Sequence, residues 1–450
     1  MALSNRAAIV LAAGMGTRMK SATPKVLHKV AGIPILAHVL AAARGAGADR
    51  IVVVTAPAQE DVRSFAKAQG AETAIQERQL GTGDAARAAA SALADFDGVL
   101  IVTYGDHPLF LAETFAASFA AQEKTGMAIV AFESQGKAYG RVLTDADGLL
   151  DRIVEYKDAS AAEREITLCN AGILAADAKE FFRWAANLGN DNAQREYYLT
   201  DIPALARKDG VACAIVTADE AQMQGVNSRA ELAAAEAAMQ TRLRRRALDA
   251  GVGMVAPETV FLSADTVLEE DVQIGPFVVF GPGVTVRKGA EIKSHSHLEG
   301  AVVEAGAIVG PFARLRPGAQ IGAGAHIGNF VEIKKAVVEA GAKANHLSYI
   351  GDARVGAGAN IGAGTITCNY DGFDKHFTDI GAGAFIGSNS ALVAPVKIGD
   401  GAFVGAGSTI AKPVAGDALA LTRAEQKTSP GWAKEFRTRK KAERAERSKK

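Results

Sequence analysis

The segment IGAGAHIGNF at residues 321–330 and its near copy IGAGAFIGSN at 380–389 place an aliphatic residue at every sixth position, with small residues between. A period of six fits neither a helix of 3.6 residues per turn nor a simply alternating strand. It is typical of a coil of short flat strands, in which one side chain in six points inward. Three such hexads close one triangular turn, so the two segments predict a parallel β-helix.

The six-residue spacing extends outward from these segments and begins near Gly253. Steps of five residues interrupt it occasionally, and an insertion follows Thr367. The residues in phase are Ile274, Phe280, Val286, Ile292, Leu298, Val303, Val309, Leu315, Ile321, Ile327, Ile333, Val338, Ala344, Ile350, Val355, Ile361, Thr367, Ile380, Ile386, Leu392, Ile398, Val404 and Ile410. Because so many residues keep one phase, we favour the β-helix over a Gly- and Ala-rich segment of low complexity.

The hexapeptide pattern resembles that of the left-handed parallel β-helix family, an exception to the right-handed rule for parallel crossovers. A repeat array needs capping, which the preceding domain and the C-terminal tail could supply. The resemblance implies side-by-side packing into a homotrimer, with active sites in clefts between subunits.

The N-terminal half has a different pattern, in which short apolar runs alternate with Ala-rich amphipathic stretches. Runs at 8–11, 51–54 and 99–102 are typical of strands in a parallel sheet covered on both faces. We therefore predict an α/β, doubly wound, Rossmann-like domain over residues 1–229. The Ala-, Glu- and Arg-rich stretch that follows predicts a linker helix over 230–250. The β-helix domain, with a basic tail, then occupies 251–450.

Composition excludes several classes of protein. Of the 450 residues 48% are apolar and 22% charged, and the 50 basic and 50 acidic residues give a formal net charge of zero. These values argue against disorder and against nucleic-acid binding by the whole chain. No apolar run approaches the ~18–20 residues of a membrane span, and no signal-like segment opens the sequence. Three cysteines, Cys169, Cys213 and Cys368, are too few for a disulfide framework, so we expect a cytoplasmic protein.

A glycine turn, LAAGMGTRMKSATPK at residues 11–25, directly follows the first predicted strand. Met19 breaks the dinucleotide fingerprint, and the P-loop sequence GKS or GKT is absent. What remains are backbone N–H groups that can approach phosphates and two cations, Arg18 and Lys25. By itself the motif is equally compatible with a βα turn that carries solvated basic residues.

LAAGxGTRM followed by PK resembles the sugar-1-phosphate nucleotidyltransferases. Further segments resemble, in order and spacing, the bacterial bifunctional family of N-acetylglucosamine-1-phosphate uridylyltransferase and glucosamine-1-phosphate N-acetyltransferase. They are QLGTGDAA (79–86), YGDHP (104–108), YGR (139–141), IVEYKDA (153–159), NAGI (170–173), NDNAQREYYLTD (190–201) and GVNSR (225–229). The resemblance covers nearly the whole chain, although Arg195 stands where a small residue is expected.

The resemblance implies synthesis of UDP-N-acetylglucosamine for peptidoglycan and lipopolysaccharide. UTP and N-acetylglucosamine 1-phosphate would react in the N-terminal domain, where Arg18 and Lys25 are catalytic and Asp106 and Asn227 bind Mg²⁺. Residues implied to bind the nucleotide or the sugar are Leu11, Ala12, Ala13, Gly14, Lys25, Gln76, Gly81, Thr82, Tyr104, Gly140, Glu155, Asn170, Tyr197 and Asn227.

The position of Asp106 agrees with a metal site, because ligands bind beyond the carboxyl ends of strands in open α/β sheets. The alternative, which we favour less, is an aspartate that only forms the turn before Pro108. The reaction itself needs little acid–base chemistry, since a sugar phosphate with a second pKa near ~6 is already an anionic nucleophile at neutral pH.

Departures from the repeat predict the second site: RLRPGA (314–319), NFVEIKK (329–335), NHLSYIGDA (345–353) and TCNYDGFDKHFT (367–378). The resemblance implies that Arg316, Lys334, Tyr349, Asn360 and Lys375 bind glucosamine 1-phosphate, and that Asn369, Tyr370, Ser388, Ala406 and Arg423 bind acetyl-CoA. His346 is predicted as general base for the amine, with Glu332 orienting its ring. We interpret Cys368 and the histidines His295, His297, His326 and His376 as structural.

Two alternatives remain open. In the first, the β-helix only assembles or regulates a nucleotidyltransferase; the long insertion and the NHLSY motif argue against it. In the second, the protein is a binding scaffold without activity, which leaves two phosphate-handling motif sets unexplained. We expect only small-molecule ligands, no nucleic acid and no membrane insertion, and we interpret the basic tail as a solvated end.

Overall fold

The computed structural model describes residues 5–135 and 138–448, and the chain divides into two compact units. The first unit contains Met1–Ala250, Ala256–Thr266 and Phe280–Gly283; the second contains Gly251–Val255, Val267–Val279 and Val284–Lys450. Two short segments beyond residue 251 thus belong to the first unit. The assignment of catalytic domains to residue ranges remains a prediction.

The first unit is built around a mixed sheet of nine strands with helices on both faces. Its strands are β1 (Arg6–Leu11), β2 (Lys29–Val30), β3 (Ile33–Pro34), β4 (Arg50–Thr55), β5 (Glu72–Ile75), β6 (Val99–Tyr104), β7 (Gly126–Glu133), β8 (Arg141–Thr144), β9 (Leu150–Val154), β10 (Leu168–Asp177) and β11 (Ala212–Thr217). Its helices are α1 (Ile35–Gly45), α2 (Glu60–Ala68), α3 (Thr82–Arg87), α4 (Ala112–Thr125), α5 (Ala161–Arg164), α6 (Ala178–Ala186), α7 (Ile202–Lys208) and α8 (Arg229–Asp249).

The main path of the nine-stranded sheet runs in the order β11-β7-β10-β6-β1-β4-β5, with β8 paired to β10 and β9 paired to β8. The other two strands, β2 and β3, form a separate antiparallel pair. Strands β6, β1, β4 and β5 are parallel, as are β7 and β11. Strand β10 is antiparallel to both its neighbours, a departure from the purely parallel arrangement. The Rossmann-like α/β fold predicted from the apolar runs is confirmed.

Successive residues of the central strands point to opposite faces, and each face has its own core. Val10, Val53 and Ile101 pack on one face with side chains of α1, α2 and α4. Ile9 and Val102 pack on the other face with α3, α6 and α7. Both faces are therefore buried, which explains the continuous apolar runs of these strands.

The second unit consists of short parallel strands. They are β12 (Gly253–Met254), β13 (Val267–Leu268), β14 (Gln273–Ile274), β15 (Val279–Phe280), β16 (Thr285–Val286), β17 (Glu291–Ile292), β18 (His297–Leu298), β19 (Ala301–Val303), β20 (Ile308–Val309), β21 (Arg314–Leu315), β22 (Ala319–Ile321), β23 (His326–Asn329), β24 (Glu332–Val338), β25 (Lys343–His346), β26 (Tyr349–Val355), β27 (Asn360–Ile361), β28 (Ile366–Cys368), β29 (Thr378–Ile380), β30 (Phe385–Ile386), β31 (Ala391–Val393), β32 (Val396–Ile398), β33 (Phe403–Val404), β34 (Thr409–Ile410) and β35 (Leu419–Ala420). An exposed helix, α9 (Trp432–Arg447), follows.

The strands stack into three ladders, and the residues in phase are ladder partners. One ladder pairs Ile274 with Ile292, then Val309, Ile327, Ala344, Ile361, Ile386 and Val404, all buried. A second ladder contains the C-terminal halves of β24 and β26, and a third contains their N-terminal halves. Each turn thus consumes three hexads, and the hexapeptide β-helix of the left-handed class is confirmed.

Within residues 5–135 and 138–448, no helix combines the length and the apolar character that crossing a bilayer requires.

Candidate active sites

The glycine turn after β1 is held open by side-chain amides. Gln79 Nε2 donates to the carbonyl oxygen of Ala13, and Gln59 Nε2 donates to that of Gly14 at 3.1 Å. In the described part of the chain, the N–H groups of Ala13 and Gly14 donate to no protein acceptor. A Cβ at Gly14 would meet no atom within 4 Å. The turn therefore presents free backbone donors to open space, as a phosphate site requires.

A cavity of about 300 Å³ opens beside this turn. It brings together Leu11, Ala12, Ala13, Gly14, Lys25, Gln76, Gly81, Thr82, Tyr104 and Asp106 from the predicted uridylyl site, together with Val26, Gln79, Ala85 and Glu196. Apart from Lys25, which begins a short 3₁₀ turn, the predicted residues come from the ends of β1, β5 and β6 and from the start of α3. The topology of the sheet places these ends at one edge.

A neighbouring cavity of about 550 Å³ contains the residues predicted for the sugar. Its lining includes Arg18, Tyr104, Gly140, Glu155, Asn170 and Asn227. The peptide N–H of Asn170 donates to Gly140 O at 2.8 Å, which holds these two residues side by side. Burial raises the pKa of the Glu155 carboxyl, and Thr200 Oγ1 donates to Glu155 Oε1 at 3.2 Å.

Tyr197 has a different position from the other predicted sugar residues. Its ring lies beneath the Arg87 guanidinium, whose carbon is 5.0 Å from the ring centroid, and its backbone bonds to Leu80 and Gly83. A third cavity of about 270 Å³ is lined by its two neighbours, Glu196 and Tyr198. Tyr197 is not among the described residues that line this cavity or the two above. That Tyr197 binds the sugar remains a prediction.

Four polar side chains meet where the two cavities adjoin. Lys25 Nζ donates to Asp106 Oδ2 and, at 2.9 Å, to Asn227 Oδ1. His107 Nδ1 lies 2.7 Å from Asp106 Oδ1. Burial raises the pKa of the Asp106 carboxyl, but the contacts with His107 and Lys25 lower it more, so Asp106 is ionised at neutral pH.

Local structure explains how residues far apart in sequence reach this point. Asp106 follows β6 at its carboxyl end, and Val226 N donates to Asp106 O at 3.0 Å. Asn227 N donates to Glu231 Oε2 at 2.7 Å in the first turn of α8. The start of α8 is thereby fixed against the end of β6.

The donor set fits Mg²⁺, because a carboxylate oxygen and an amide oxygen converge on a single cationic atom, Lys25 Nζ. Within the described ranges no three His, Cys, Asp or Glu side chains form a metal-binding group. The protein alone therefore offers two hard oxygen ligands, and substrate phosphates and water would supply the others.

In the second unit, His346 lies at the end of β25 and is exposed. Its Nδ1 lies 2.6 Å from Oδ1 of Asn329, its ladder partner on β23. The amide oxygen accepts, so Nδ1 carries the proton and Nε2 is the free nitrogen of the neutral ring.

The prediction that Glu332 orients His346 is wrong. Glu332 lies in a different ladder, opposite Arg314 and Tyr349, and its Oε1 accepts from Arg316 Nη1 at 2.8 Å. Asn329 has the orienting position because the step from β23 to β25 places residue 346 opposite residue 329. Asn329 is the first residue of the NFVEIKK motif, so the sequence did contain a signal for this orienting residue.

Cationic side chains gather beside β24. Arg316 follows β21 and Lys334 lies on β24, in register with Gly351. The charge of Lys375, then burial and the charge of Arg316, lower the pKa of Lys334. Three predicted ligands of the acceptor phosphate are thus close enough to repel one another, which favours binding of an anion.

The insertion after β28 closes as a tight loop. Asp371 Oδ1 accepts from the N–H groups of Phe373 and Asp374 at 2.8 and 2.7 Å, and His376 Nε2 lies 2.7 Å from Asp371 Oδ2. Lys375 Nζ lies 5.0 Å above the ring of Tyr370. Asn369 donates to Asp352. The loop thereby fixes Lys375, Tyr370 and Asn369.

The remaining predicted coenzyme A residues form a separate group. Gly407 N donates to Ser388 O at 2.8 Å, so these two residues lie on successive turns of the β-helix. Ala406 precedes Gly407, and its carbonyl oxygen accepts a hydrogen bond from Arg423 Nη1 at 2.9 Å. Asn360 lies on β27, opposite Lys343. In the described part of the chain, no hydrogen bond or ion pair joins the Ser388 group to the cations beside β24.

Two family models match the chain: the MobA-like NTP transferase domain over residues 8–252, and the bacterial transferase hexapeptide, a unit of six repeats, over 300–335 and 377–412. A Bifunctional protein GlmU of Paramagnetospirillum magneticum is 54% identical over 451 residues, which cover 99% of each chain. The Rhodospirillum rubrum protein of that name is 56% identical, covering 97% of this chain and 98% of its own. That of Caulobacter vibrioides is 53% identical, covering 98% and 96%.

Proposed function

The chain belongs to the family of bifunctional GlmU proteins, and from this premise we propose that it makes UDP-N-acetylglucosamine in two steps. The β-helix transfers the acetyl group of acetyl-CoA to glucosamine 1-phosphate. The nucleotidyltransferase domain then joins N-acetylglucosamine 1-phosphate to the uridylyl group of UTP and releases diphosphate. This product supplies peptidoglycan and lipopolysaccharide synthesis. The observation that carries the proposal is the convergence of Asp106 and Asn227 on Lys25 where two cavities adjoin.

In uridylyl transfer, a phosphate oxygen of the sugar phosphate attacks the α-phosphorus of UTP, and the bond to the β-phosphate oxygen breaks. No proton has to move, because the attacking oxygen is already anionic. Lys25, Arg18 and the free N–H groups of the glycine turn offset the charge at the phosphates. Mg²⁺ held by Asp106 and Asn227 would neutralise further negative charge on the triphosphate.

Gln76 offers a reason for the choice of uracil. Its Nε2 donates to Gly81 O at 3.1 Å and to Asp84 Oδ2 at 2.9 Å. Both amide hydrogens are thereby engaged, which leaves Oε1 as an acceptor on the wall of the nucleotide cavity. An acceptor fits the N3–H group of uracil and leaves the N3 lone pair of cytosine without a donor.

In acetyl transfer, His346 Nε2 takes a proton from the amino group of glucosamine 1-phosphate, and the amine nitrogen attacks the thioester carbonyl. The carbon–sulfur bond then breaks, and coenzyme A leaves as a thiol after gaining a proton. Asn329 keeps Nδ1 protonated and so keeps Nε2 available. Arg316, Lys334 and Lys375 hold the acceptor phosphate.

We further propose a cytoplasmic homotrimer, as the hexapeptide domain and the two cytoplasmic co-substrates suggest. In such a trimer, the acetyl-CoA residues of one subunit would lie beside the acceptor residues of its neighbour in the cleft between them.

Substrate omission tests the proposal. The full chain with glucosamine 1-phosphate, acetyl-CoA, UTP and Mg²⁺ should form UDP-N-acetylglucosamine and free thiol. Omission of UTP or Mg²⁺ should leave thiol release intact, whereas omission of acetyl-CoA should stop both products. Nucleotide transfer to N-acetylglucosamine 1-phosphate without any thiol release would favour a β-helix that only assembles the enzyme.

A single variant separates the two sites. Asp106→Ala should lower uridylyl transfer by roughly 10²–10³-fold, since it removes a charged group that acts on the phosphates. Acetyl transfer by the same sample should stay within about twofold of wild type, and the thermal transition of the first unit in calorimetry serves as the control for its folding. Equal loss of both activities in a folded variant would contradict separate sites.

A further inference from the structure

His107 is held on three sides in the first unit. Its ring stacks on Tyr104, with centroids 5.4 Å apart, and on Phe110, with centroids 5.0 Å apart and ring planes 6° apart. A Cβ at Gly225 would lie 2.8 Å from its Cε1, so backbone closes the third side. The imidazole consequently has little freedom to turn.

The fixed ring makes one directed hydrogen bond. Its Nδ1 lies 2.7 Å from Asp106 Oδ1. An ionised carboxylate only accepts hydrogen bonds, so Nδ1–H is the donor. The other oxygen, Oδ2, is left to face Lys25 Nζ and, across it, Asn227 Oδ1. His107 therefore donates to one carboxylate oxygen of Asp106, and the other oxygen faces the Lys25 ammonium group.

We propose that His107 is a positioning residue, which fixes the rotation of the Asp106 carboxylate so that Oδ2 and Asn227 Oδ1 share one cation. The inference rests on the proposed function, in which these two oxygens bind Mg²⁺. Without the donor, the carboxylate can rotate about its Cβ–Cγ bond, and a buried oxygen loses its partner. Hydrogen-bond partners of metal ligands commonly contribute about 10–100-fold to metal affinity.

The alternative role is packing, since His107 also fills the space between two aromatic rings. Leucine and asparagine have similar shapes, but only asparagine can place an N–H near the position of Nδ1. The pair His107→Leu and His107→Asn therefore separates hydrogen bonding from volume. His107→Phe keeps the aromatic stack without the donor, and Phe110→Leu disturbs the stack while leaving the donor in place.

The test measures binding of Mn²⁺ to the full chain by electron paramagnetic resonance, with and without UTP. We expect His107→Leu and His107→Phe to bind Mn²⁺ about tenfold more weakly than wild type. His107→Asn and Phe110→Leu should stay within about threefold. The Mg²⁺ concentration for half-maximal uridylyl transfer should shift in parallel, while the KM for UTP at saturating Mg²⁺ stays nearly constant.

The outcomes distinguish this inference from the proposed function. Wild-type Mn²⁺ affinity in both His107→Leu and His107→Phe, with lost affinity in Asp106→Ala, would overturn the inference and leave the metal site intact. Unchanged affinity in Asp106→Ala would overturn the metal site itself. If His107→Leu fails to fold, as shown by loss of the thermal transition of the first unit in calorimetry, the comparison of His107→Phe with His107→Asn decides the same question.

Discussion

Arg195 adopts a backbone conformation that suits glycine, with φ of +56°. A side chain in this left-handed region costs about 1 kcal/mol, and glycine relieves most of it. We expect Arg195→Gly to raise the melting temperature of the first unit by about 2–4 °C in calorimetry. Arg195→Ala is the matched control, since it removes the guanidinium but keeps the Cβ. Equal melting temperatures for the two variants would show that backbone strain is not the cause.

The orientation of His346 gives a second prediction. Asn329→Ala should lower kcat for acetyl transfer about tenfold or more, because the ring loses the acceptor that selects its tautomer. The KM for glucosamine 1-phosphate should change little. Glu332→Gln is the comparison: it loosens Arg316 and should raise that KM with a smaller effect on kcat. The reverse pattern in steady-state kinetics would restore Glu332 as the orienting group.

Glu155 makes binding of the sugar dependent on pH. Burial raises the pKa of its carboxyl, so protonation begins at a higher pH than for an ordinary glutamate, near ~4.3. In the proposed function, the carboxylate accepts hydrogen bonds from sugar hydroxyls. The KM for N-acetylglucosamine 1-phosphate should therefore rise as the pH falls through the pKa of Glu155. The substrate phosphate, with a second pKa near ~6, makes a separate contribution to this dependence. The KM of Glu155→Gln should depend on pH only through the substrate phosphate. Identical pH profiles of KM for this variant and wild type would show that Glu155 does not contribute.

The sequence predicted a site residue where that residue belongs to a recognisable motif. It did not predict contacts that depend on residues brought together by the fold. Lys25, Asp106 and Asn227 stand in quoted motifs, and the structure joins them by hydrogen bonds. The bonds of His107 and Asn329 depend on ring stacking and on ladder register, which no local spacing reveals. Arg195 is intermediate, since its mismatch with a small residue was visible but its φ was not.

At the scale of elements, the six-residue period predicted the ladders of the β-helix because each buried residue faces its counterpart one turn later. The antiparallel direction of β10 was not predictable, because an apolar run reads the same in either direction. The conformation of the insertion was likewise not predictable from the sequence, because Asp371 and His376 form their contact inside a segment without periodicity.

The insertion loop gives an element-scale prediction. Asp371→Ala removes the acceptor of two backbone N–H groups and the partner of His376, so Lys375 should lose its fixed position. We expect the KM for glucosamine 1-phosphate to rise several-fold, to about tenfold, as an oriented cation on the phosphate is lost. Asp374→Ala changes the charge of the same loop equally and should have little effect. A similar rise in KM for both variants would show that the net charge of the loop, and not the position of Lys375, is the cause.

At the scale of the whole molecule, the two sites use different chemistry and share no residue. In the proposed function, one depends on carboxylate and amide oxygens and cations around phosphates, and the other on an imidazole oriented by Asn329. The composition, with balanced charge and few cysteines, indicated only a folded protein of this size class; the division into two activities came from motifs. The separation predicts that each site works when the other is disabled.

Complementation in solution tests that independence. A mixture of Asp106→Ala and His346→Ala, each as the full chain, should convert glucosamine 1-phosphate to UDP-N-acetylglucosamine after a lag, because N-acetylglucosamine 1-phosphate leaves one protein and enters the other. The double variant Asp106→Ala, His346→Ala should form none. The lag should shorten as the concentration of the acetyl-transferring variant rises, which a time course by chromatography can measure. No product from the mixture, with thiol release by Asp106→Ala limited to one equivalent per active site, would mean that the intermediate is not released between the two steps.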